Sequence, residues 1–537
     1  MTNDLLLEMR DVEIEGFADE RWHPIIKGVD LTLKRGEVLG LIGESGAGKS
    51  TLGLASMGFA RPGCRICGGT IRFDGIDLRA APEKQLRRLW GSRLAYVAQS
   101  AANSFNPAHR LIDQTVEATV GHDLRPSGEA RTDAVDLYRA LQLPDPDRIG
   151  ERYPHQVSGG QLQRVMTAMA MSPRPDLIVF DEPTTALDVT TQVEVLLAIR
   201  RAVDMFDTAA IYITHDLAVV AQMADRIKVL RYGEEVEDAE TRAMLSAPKA
   251  DYTKSLWSVR ALEKPEAPSD DTVLAIENVT AAYGSGPDVL KDVTIRVPRG
   301  RTVAIVGESG SGKSTTARVV TGLLPPREGR VTFEGEALPA ALKDRSKDQL
   351  RRVQMIYQMA DTAMNPRQRV AEIIGRPLEF YHGLRGRARD ERVSELLKMI
   401  ELDDSFMDRL PGELSGGQKQ RICIARALAA DPEVIICDEV TSALDQIVQE
   451  GILKLLLRLQ REMNITYLFI THDIAVVRAI SDEIVVMLDG RVVEQGLKSE
   501  ILSEPHPDYT RLLLSSVPEM DPDWLDGFVA RRGEAAE

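Results

Sequence analysis

Nowhere in the 537 residues does an uninterrupted apolar stretch approach the roughly 20 residues that cross a bilayer. Nor does the N-terminus, Met1 to Arg10, join a basic segment to a long apolar one. A chain that stays in the cytoplasm and cannot itself carry a solute through a membrane is the expectation. Cysteine is scarce: Cys64, Cys67, Cys423 and Cys437 are too few for a disulfide framework and fit a reducing compartment. Cys64 and Cys67 form a Cys-x-x-Cys, but no second cysteine pair or nearby histidine pair completes a metal site, and the pair reads as incidental. A basic excess is also missing. Lys and Arg number 66 against 82 Asp and Glu, a net charge of −16, which argues against broad phosphate-backbone binding and predicts no nucleic-acid partner. What remains, 43% hydrophobic and 28% charged, is the composition of a globular protein, too long for one ordinary domain.

Glycine, by contrast, is concentrated where it carries chemistry. Gly43-Glu44-Ser45-Gly46-Ala47-Gly48-Lys49-Ser50-Thr51 returns almost unchanged as Gly307-Glu308-Ser309-Gly310-Ser311-Gly312-Lys313-Ser314-Thr315. Each copy follows an apolar run, Val38 to Ile42 or Val303 to Val306, as a strand, loop and helix require. In that geometry backbone N–H groups turn towards phosphate oxygens at a helix N-terminus. Lys49 or Lys313 reaches the terminal phosphates, and Ser50 or Ser314 can ligate Mg2+.

The repetition extends from end to end. Ile25 to Leu31 matches Val289 to Ile295, and Lys49 and Lys313 stand 264 residues apart. Beyond them Ser158 and Ser415, Asp181 and Asp438, His215 and His472, and Tyr252 and Tyr509 are all 257 apart. A period this long means a duplicated domain. The predicted domains are residues 1–260 and 273–537, joined by a short, fairly stiff linker at 261–272 that contains two prolines. Strand-like runs alternate with helix-like segments in each half, which predicts a parallel or mixed α/β core. Segments such as Ala134 to Leu141 and Glu391 to Ile400 are assigned to a helical subdomain, and the tail after Val517 is read as peripheral.

Each half also has an apolar strand ending in two acids, Leu177 to Glu182 and Val434 to Glu439. A buried strand delivers carboxylates to its C-terminal end, where ligands bind in open α/β sheets. Asp181 and Asp438 can hold Mg2+, and Glu182 and Glu439 can polarise a water for attack on a γ-phosphate. Ahead of them lie Ser158-Gly159-Gly160-Gln161 and Ser415-Gly416-Gly417-Gln418, each followed by Gln-Arg.

This last element resembles the signature motif of ATP-binding cassette (ABC) proteins, and the other family motifs follow in order. They are the glutamine loops at Gln99 and Gln358, the D-loops Ala186-Leu187-Asp188 and Ala443-Leu444-Asp445, and the switch histidines His215 and His472, each after a threonine. The resemblance implies two tandem P-loop NTPase (RecA-like) nucleotide-binding domains, each with a helical and an antiparallel β subdomain. It further implies that ATP is held by the phosphate loop of one half and the signature of the other. Lys49, Ser50, Gln99, Asp181, Glu182 and His215 would work with Ser415, Gly416 and Gly417. Lys313, Ser314, Gln358, Asp438, Glu439 and His472 would work with Ser158, Gly159 and Gly160. The glutamines would also take part in holding Mg2+. An aromatic is expected on adenine: Tyr283 fits in the second half, and Phe17 or its rival Trp22 in the first. Arg164 and Arg421 are read as anchors of the signature helices. No departure from the motifs removes a reacting group, so both sites are expected to hydrolyse ATP.

Asn106-Pro107 and Asn365-Pro366-Arg367, with Asp251-Tyr252-Thr253 and His506-Pro507-Asp508-Tyr509-Thr510, resemble elements of the dipeptide, oligopeptide and glutathione importer ATPases. That resemblance implies two membrane permease subunits and an extracytoplasmic peptide-binding protein as partners, at the cytoplasmic face of the inner membrane. The C-terminal cysteine cluster of some relatives is missing, and no iron–sulfur centre is expected. Three rivals fit less well. A tandem sugar-importer ATPase usually has a degenerate second phosphate loop, a tandem translation factor needs a long charged linker, and an exporter ATPase lacks the peptide-type elements.

Overall fold

Five-residue apolar runs form the spine of each half of the protein. The structure, a computed structural model, describes residues 4–18, 20–185, 187–258, 262–442 and 444–534. Ala186 and Ala443 of the two D-loops, Ala261 at the start of the expected linker and residues 535–537 of the tail lie outside the described residues. Two compact units result: residues 1–257 together with 518–537, and residues 258–517. Among the described residues no helix is long and apolar enough to cross a membrane.

In the first unit, strands β1 (Leu5–Ala18), β2 (Arg21–Lys34), β4 (Cys64–Phe73) and β5 (Ile76–Asp77) make an antiparallel sheet of order β2-β1-β4-β5. The second sheet comprises β3 (Val38–Ile42), β6 (Leu94–Val97), β7 (Leu177–Asp181), β8 (Ala209–Ile213), β9 (Arg226–Arg231) and β10 (Glu234–Glu240), in the order β10-β9-β3-β8-β7-β6. It is parallel except for the edge strand β10. Every residue of β3, β7 and β8 is buried, as continuous apolar runs predict for parallel strands covered on both faces. The helices Leu111–Gly121, Ser127–Ala140 and Gly159–Met171 form the expected helical subdomain.

The second unit repeats this plan. Strands β11 (Thr272–Ala282), β12 (Asp288–Pro298), β14 (Glu328–Phe333) and β15 (Glu336–Ala337) form the antiparallel sheet. In the other sheet, β13 (Thr302–Val306), β16 (Val353–Ile356), β17 (Val434–Asp438), β18 (Thr466–Ile470), β19 (Glu483–Leu488) and β20 (Arg491–Leu497) take the order β16-β17-β18-β13-β19-β20. Alternation along the strands divides their side chains between two cores. Val434, Ile436, Leu468 and Ile470 join the cluster under the antiparallel sheet, whereas Ile435, Cys437, Tyr467 and Phe469 join the cluster under the helices.

One expectation changes. The tail is not peripheral: Trp524, Leu525 and Phe528 of the helix Trp524–Glu534 are buried against Val193 in the first unit. Gln222 fastens the segment further, donating to Glu519 O at 2.8 Å and Asp521 O at 2.7 Å and accepting from Leu525 N–H at 3.0 Å. Apolar side chains one and four positions apart on a helix make one face, and that face has a core to join. The linker, expected to be stiff, is tied down along its length. Lys264 pairs with the buried Asp482 and donates to Gln460 at 2.7 Å, and Lys498 donates to Lys264 O at 2.6 Å, so 262–271 is laid along the second unit.

Candidate nucleotide sites

Each phosphate loop leaves the end of a central strand, β3 or β13, and enters a helix at its lysine, Lys49–Ala55 or Lys313–Val320. The first glycine is demanded by packing. A Cβ on Gly43 would lie 2.2 Å from Leu230 O, and one on Gly307 would lie 2.1 Å from Met487 O. The lysines are buried and turn back over the loop. Lys49 Nζ donates to Gly43 O at 2.7 Å and Glu44 O at 2.9 Å, and Lys313 Nζ to Gly307 O at 2.8 Å and Glu308 O at 2.7 Å. Ser45, Gly46, Ala47 and Gly48, like Ser309, Gly310, Ser311 and Gly312, make the turn between strand and helix. Thr51 and Thr315 lie in the first helical turn.

The strand-end acids meet these loops. Ser50 Oγ donates to Asp181 Oδ1 at 2.7 Å, and Ser314 Oγ to Asp438 Oδ1 at 2.9 Å. A hydroxyl beside a carboxylate is a hard oxygen donor set and fits Mg2+. Burial pushes the Asp438 carboxyl above its ordinary value, and the neighbouring Glu439 charge adds to that.

Glu182 and Glu439 sit in the left-handed region, at φ +50° and +51°, where a non-glycine residue costs about 1–3 kcal/mol. The surroundings hold them there: Glu182 N–H donates to Ile213 O and Glu439 N–H to Ile470 O, each at 2.9 Å. Both carboxylates are gripped from two sides. Gln99 Nε2 donates to Glu182 Oε2 at 2.9 Å, and His215 Nδ1 lies 3.3 Å from Oε1. In the second unit Gln358 Nε2 donates to Glu439 Oε2 at 2.6 Å, and His472 Nδ1 lies 3.5 Å from Oε1. Burial raises the pKa of each glutamate, but the histidine and the loop lysine outweigh it, and the net shift is downward. For each histidine, burial lowers the pKa and the glutamate more than reverses it. A fixed, ionised carboxylate at a strand end can accept a proton from a water.

The signature serines cap helices. Ser158 Oγ accepts from Gln161 N–H at 3.3 Å while Gln161 Oε1 accepts from Ser158 N–H at 3.2 Å; Ser415 and Gln418 repeat this at 3.3 and 2.9 Å. Each pair is a capping box that leaves its serine exposed at a helix N-terminus, able to receive an anion. Gly159 and Gly416 are exposed too. Gly160 and Gly417 also serve packing, since a Cβ would lie 2.1 Å from Thr191 Cγ2 and 2.4 Å from Val448 Cγ1. Arg164 donates to Gln142 O at 2.7 Å and Arg421 to Ile400 O at 2.8 Å, ties between signature helix and helical layer.

The aromatic candidates differ in placement. Tyr283 stands beside its phosphate-loop helix, its hydroxyl 3.2 Å from Thr315 Oγ1 and accepting from Arg318 at 2.9 Å. Phe17 and Trp22 face each other across the β1–β2 hairpin with centroids 5.3 Å apart, and Arg65 lies over Trp22 at 4.1 Å. Three contacts escaped the sequence reading. Tyr96 donates to Asp181 Oδ2 at 2.6 Å, Arg61 lies 3.6 Å from the same oxygen, and Thr185 donates to Glu182 Oε2 at 3.0 Å. No motif spacing marks them; a tyrosine in a strand reads as an ordinary strand former.

Known proteins resemble this chain along most of its length. The ABC transporter family matches residues 26–185 and again 290–442, and the C-terminal region of oligopeptide/dipeptide transporters matches residues 493–537. A glutathione import ATP-binding protein of Pectobacterium atrosepticum is 36% identical over 96% of this chain and 90% of its own length. One from Salmonella choleraesuis is 37% identical over 93% and 87%. Among solved structures, an ABC transporter component from Clostridium perfringens is similar to 44% of this chain over 92% of its own, at 31% identity and a TM-score of 0.41.

Proposed function

The chain belongs to the ABC transporter family, and from that premise we propose that it is the energy-coupling subunit of a peptide importer, with both ATP sites supplied by one chain. It is an ATPase built of two ABC cassettes with mixed α/β sheets. The observation that carries the reading is the presence, in each unit, of a complete and similarly spaced set: loop lysine, hydroxyl–aspartate pair, glutamate held by glutamine and histidine, and exposed signature serine. The peptide end of the proposal draws on the C-terminal match and on relatives described as glutathione import ATP-binding proteins.

In this reading Lys49 and Lys313 take the terminal phosphates, with the loop N–H groups beside them. Ser50, Asp181 and Gln99, and Ser314, Asp438 and Gln358, would hold Mg2+, which when bound neutralises developing phosphate charge. Glu182 and Glu439 accept a proton from the attacking water, and the histidines fix the carboxylates in place. Each signature, at Ser158 or Ser415, completes the site of the opposite loop by offering a hydroxyl and a helix N-terminus to the γ-phosphate. Binding then favours closure and hydrolysis removes the contact that favours it. Tyr283 and either Phe17 or Trp22 stack on adenine. Separate membrane permeases and an external peptide-binding protein would complete the transporter, with this chain at the cytoplasmic face.

The test is Glu182→Gln with Glu439→Gln. Turnover should fall by about 10²–10⁴, the worth of a positioned general base, while ATP binding persists; undiminished turnover refutes the assignment. Isolation from membranes should bring multi-span proteins along, and recovery with ribosomes would overturn the importer reading.

A further inference from the structure

We propose that Tyr252 and Tyr509, the tyrosines of the two Asp-Tyr-Thr elements, are positioning residues for the phosphate loops of their own cassettes. Both lie far along the chain from the loops they reach. Glu44 N–H donates to Tyr252 Oη at 3.2 Å, and Glu308 N–H donates to Tyr509 Oη at 2.9 Å.

The peptide group involved is the one that matters. The N–H of Glu44 and the carbonyl of Gly43 belong to a single planar unit, and Lys49 Nζ is on that carbonyl at 2.7 Å. The first peptide of the loop is therefore gripped at both edges, by the tyrosine on its N–H and by the lysine on its oxygen. In the second unit, Tyr509 and Lys313 grip the Gly307–Glu308 peptide at 2.9 and 2.8 Å. Rotation of this plane would swing the lysine's anchor away. By fixing the plane, the tyrosine fixes where the ammonium starts from when it meets a phosphate.

The tyrosines are themselves well held. Tyr252 is buried, with the Arg231 guanidinium 4.5 Å from its ring centroid. Burial pushes its phenol pKa up, so the hydroxyl stays neutral. The start of its helix, Asp251–Ser258, is set by Glu237, whose two carboxylate oxygens accept from Lys249 N–H at 2.9 Å and Ala250 N–H at 3.0 Å. The second unit reaches the same end by other means. Pro507 stands where the first has Ala250 and has no N–H to offer; Glu494, in place of Glu237, lies 3.7 Å from Nδ1 of the buried His506 instead. Two different supports carrying the same tyrosine to the same peptide indicate that the contact is what both serve.

The inference rests on the phosphate-loop reading above, and the test separates the two. In the full chain, Tyr252→Phe and Tyr509→Phe, singly and together, keep the ring and remove the acceptor. KM and the equilibrium dissociation constant for ATP with Mg2+ should rise, by up to the roughly three- to tenfold that one neutral hydrogen bond is worth, with kcat essentially unmoved. Unchanged ATP affinity in the double variant overturns the proposal. So does a loss of kcat accompanied by a lower Tm, the signature of a merely structural residue. If the unmodified chain itself binds no ATP, the phosphate-loop reading falls and takes the proposal with it.

Discussion

In the first cassette both oxygens of Asp181 are engaged, by Ser50 at 2.7 Å and by the phenol of Tyr96 at 2.6 Å, and Arg61 stands 3.6 Å away. In the second, Asp438 accepts from Ser314 at 2.9 Å, and the β16 residue in register with Tyr96 is Met355, which has no hydroxyl. The glutamate, glutamine and histidine beside them differ hardly at all. Duplication has thus kept the glutamate proposed to activate water and let the surroundings of the aspartate proposed to hold Mg2+ diverge. The two sites should share a catalytic step and differ in how readily each takes up Mg2+.

Exchanging the residues tests that difference most strongly. Tyr96→Phe removes a donor to a charged acceptor, worth about 1.5–3 kcal/mol, and should lower the Mg2+ concentration that half-saturates the first site roughly tenfold or more. Met355→Tyr should raise it at the second site. Titration of Mg2+-dependent ATP binding in chains with one loop lysine replaced by alanine reads each site alone. Equal half-saturation in the parent chain would show that Tyr96 costs Asp181 nothing.

How much of this was open to sequence reading follows from what the backbone demands. The phosphate loops were legible because close approach to a neighbouring carbonyl forces glycine at Gly43 and Gly307, and the acids because they end wholly buried strands. Tyr96 was not, because its function comes from pairing across to β7, which sets it near Asp181 some 85 residues later. Tyr252 and Tyr509 stood out as part of an element, yet the partner of each is a backbone N–H more than 200 residues away, and main-chain donors leave no trace in a sequence. The tail misled because acids from Asp521 to Asp526 surround Trp524 and Leu525 and suggest a solvated segment. Arg242 pairs with Asp523 and Arg200 with Asp526, which turns those acids into docking contacts.

The aromatics sharpen the comparison at a smaller scale. Tyr283 is 44% exposed beside its loop helix, whereas Phe17 is 54% and Trp22 38% exposed in a mutually packed pair. Base stacking on an aromatic is worth about 1–3 kcal/mol per base, and half-exposed rings belong at the lower end. Tyr283→Ala should therefore weaken ATP binding at the second site about fivefold. In the first, the residue of the pair that stacks should show the same loss. If Phe17→Ala and Trp22→Ala both leave ATP affinity unchanged, the first cassette holds adenine by another means.

The smallest expected effect concerns pH, and there the two cassettes should behave alike. Burial alone would lower the His215 pKa; Glu182 at 3.3 Å more than reverses this, so the folded value lies above 6.5. A raised histidine pKa means a contribution to stability that is complete below pH 6.5 and fades as pH rises through the folded value. The lowered Glu182 pKa adds a contribution present above pH 4.5 and lost as pH falls through its folded value. The ion pair therefore spans a window that opens below 4.5 and closes above 6.5, and the His472–Glu439 pair follows the same signs. Glu182→Gln removes the charge but keeps the burial, so the His215 titration followed by NMR should move from above 6.5 to below it. Glu439→Gln should do the same to His472. An imidazole whose titration ignores the substitution is not held by its glutamate, and the likeness drawn between the two sites would then fail on the side where it is closest.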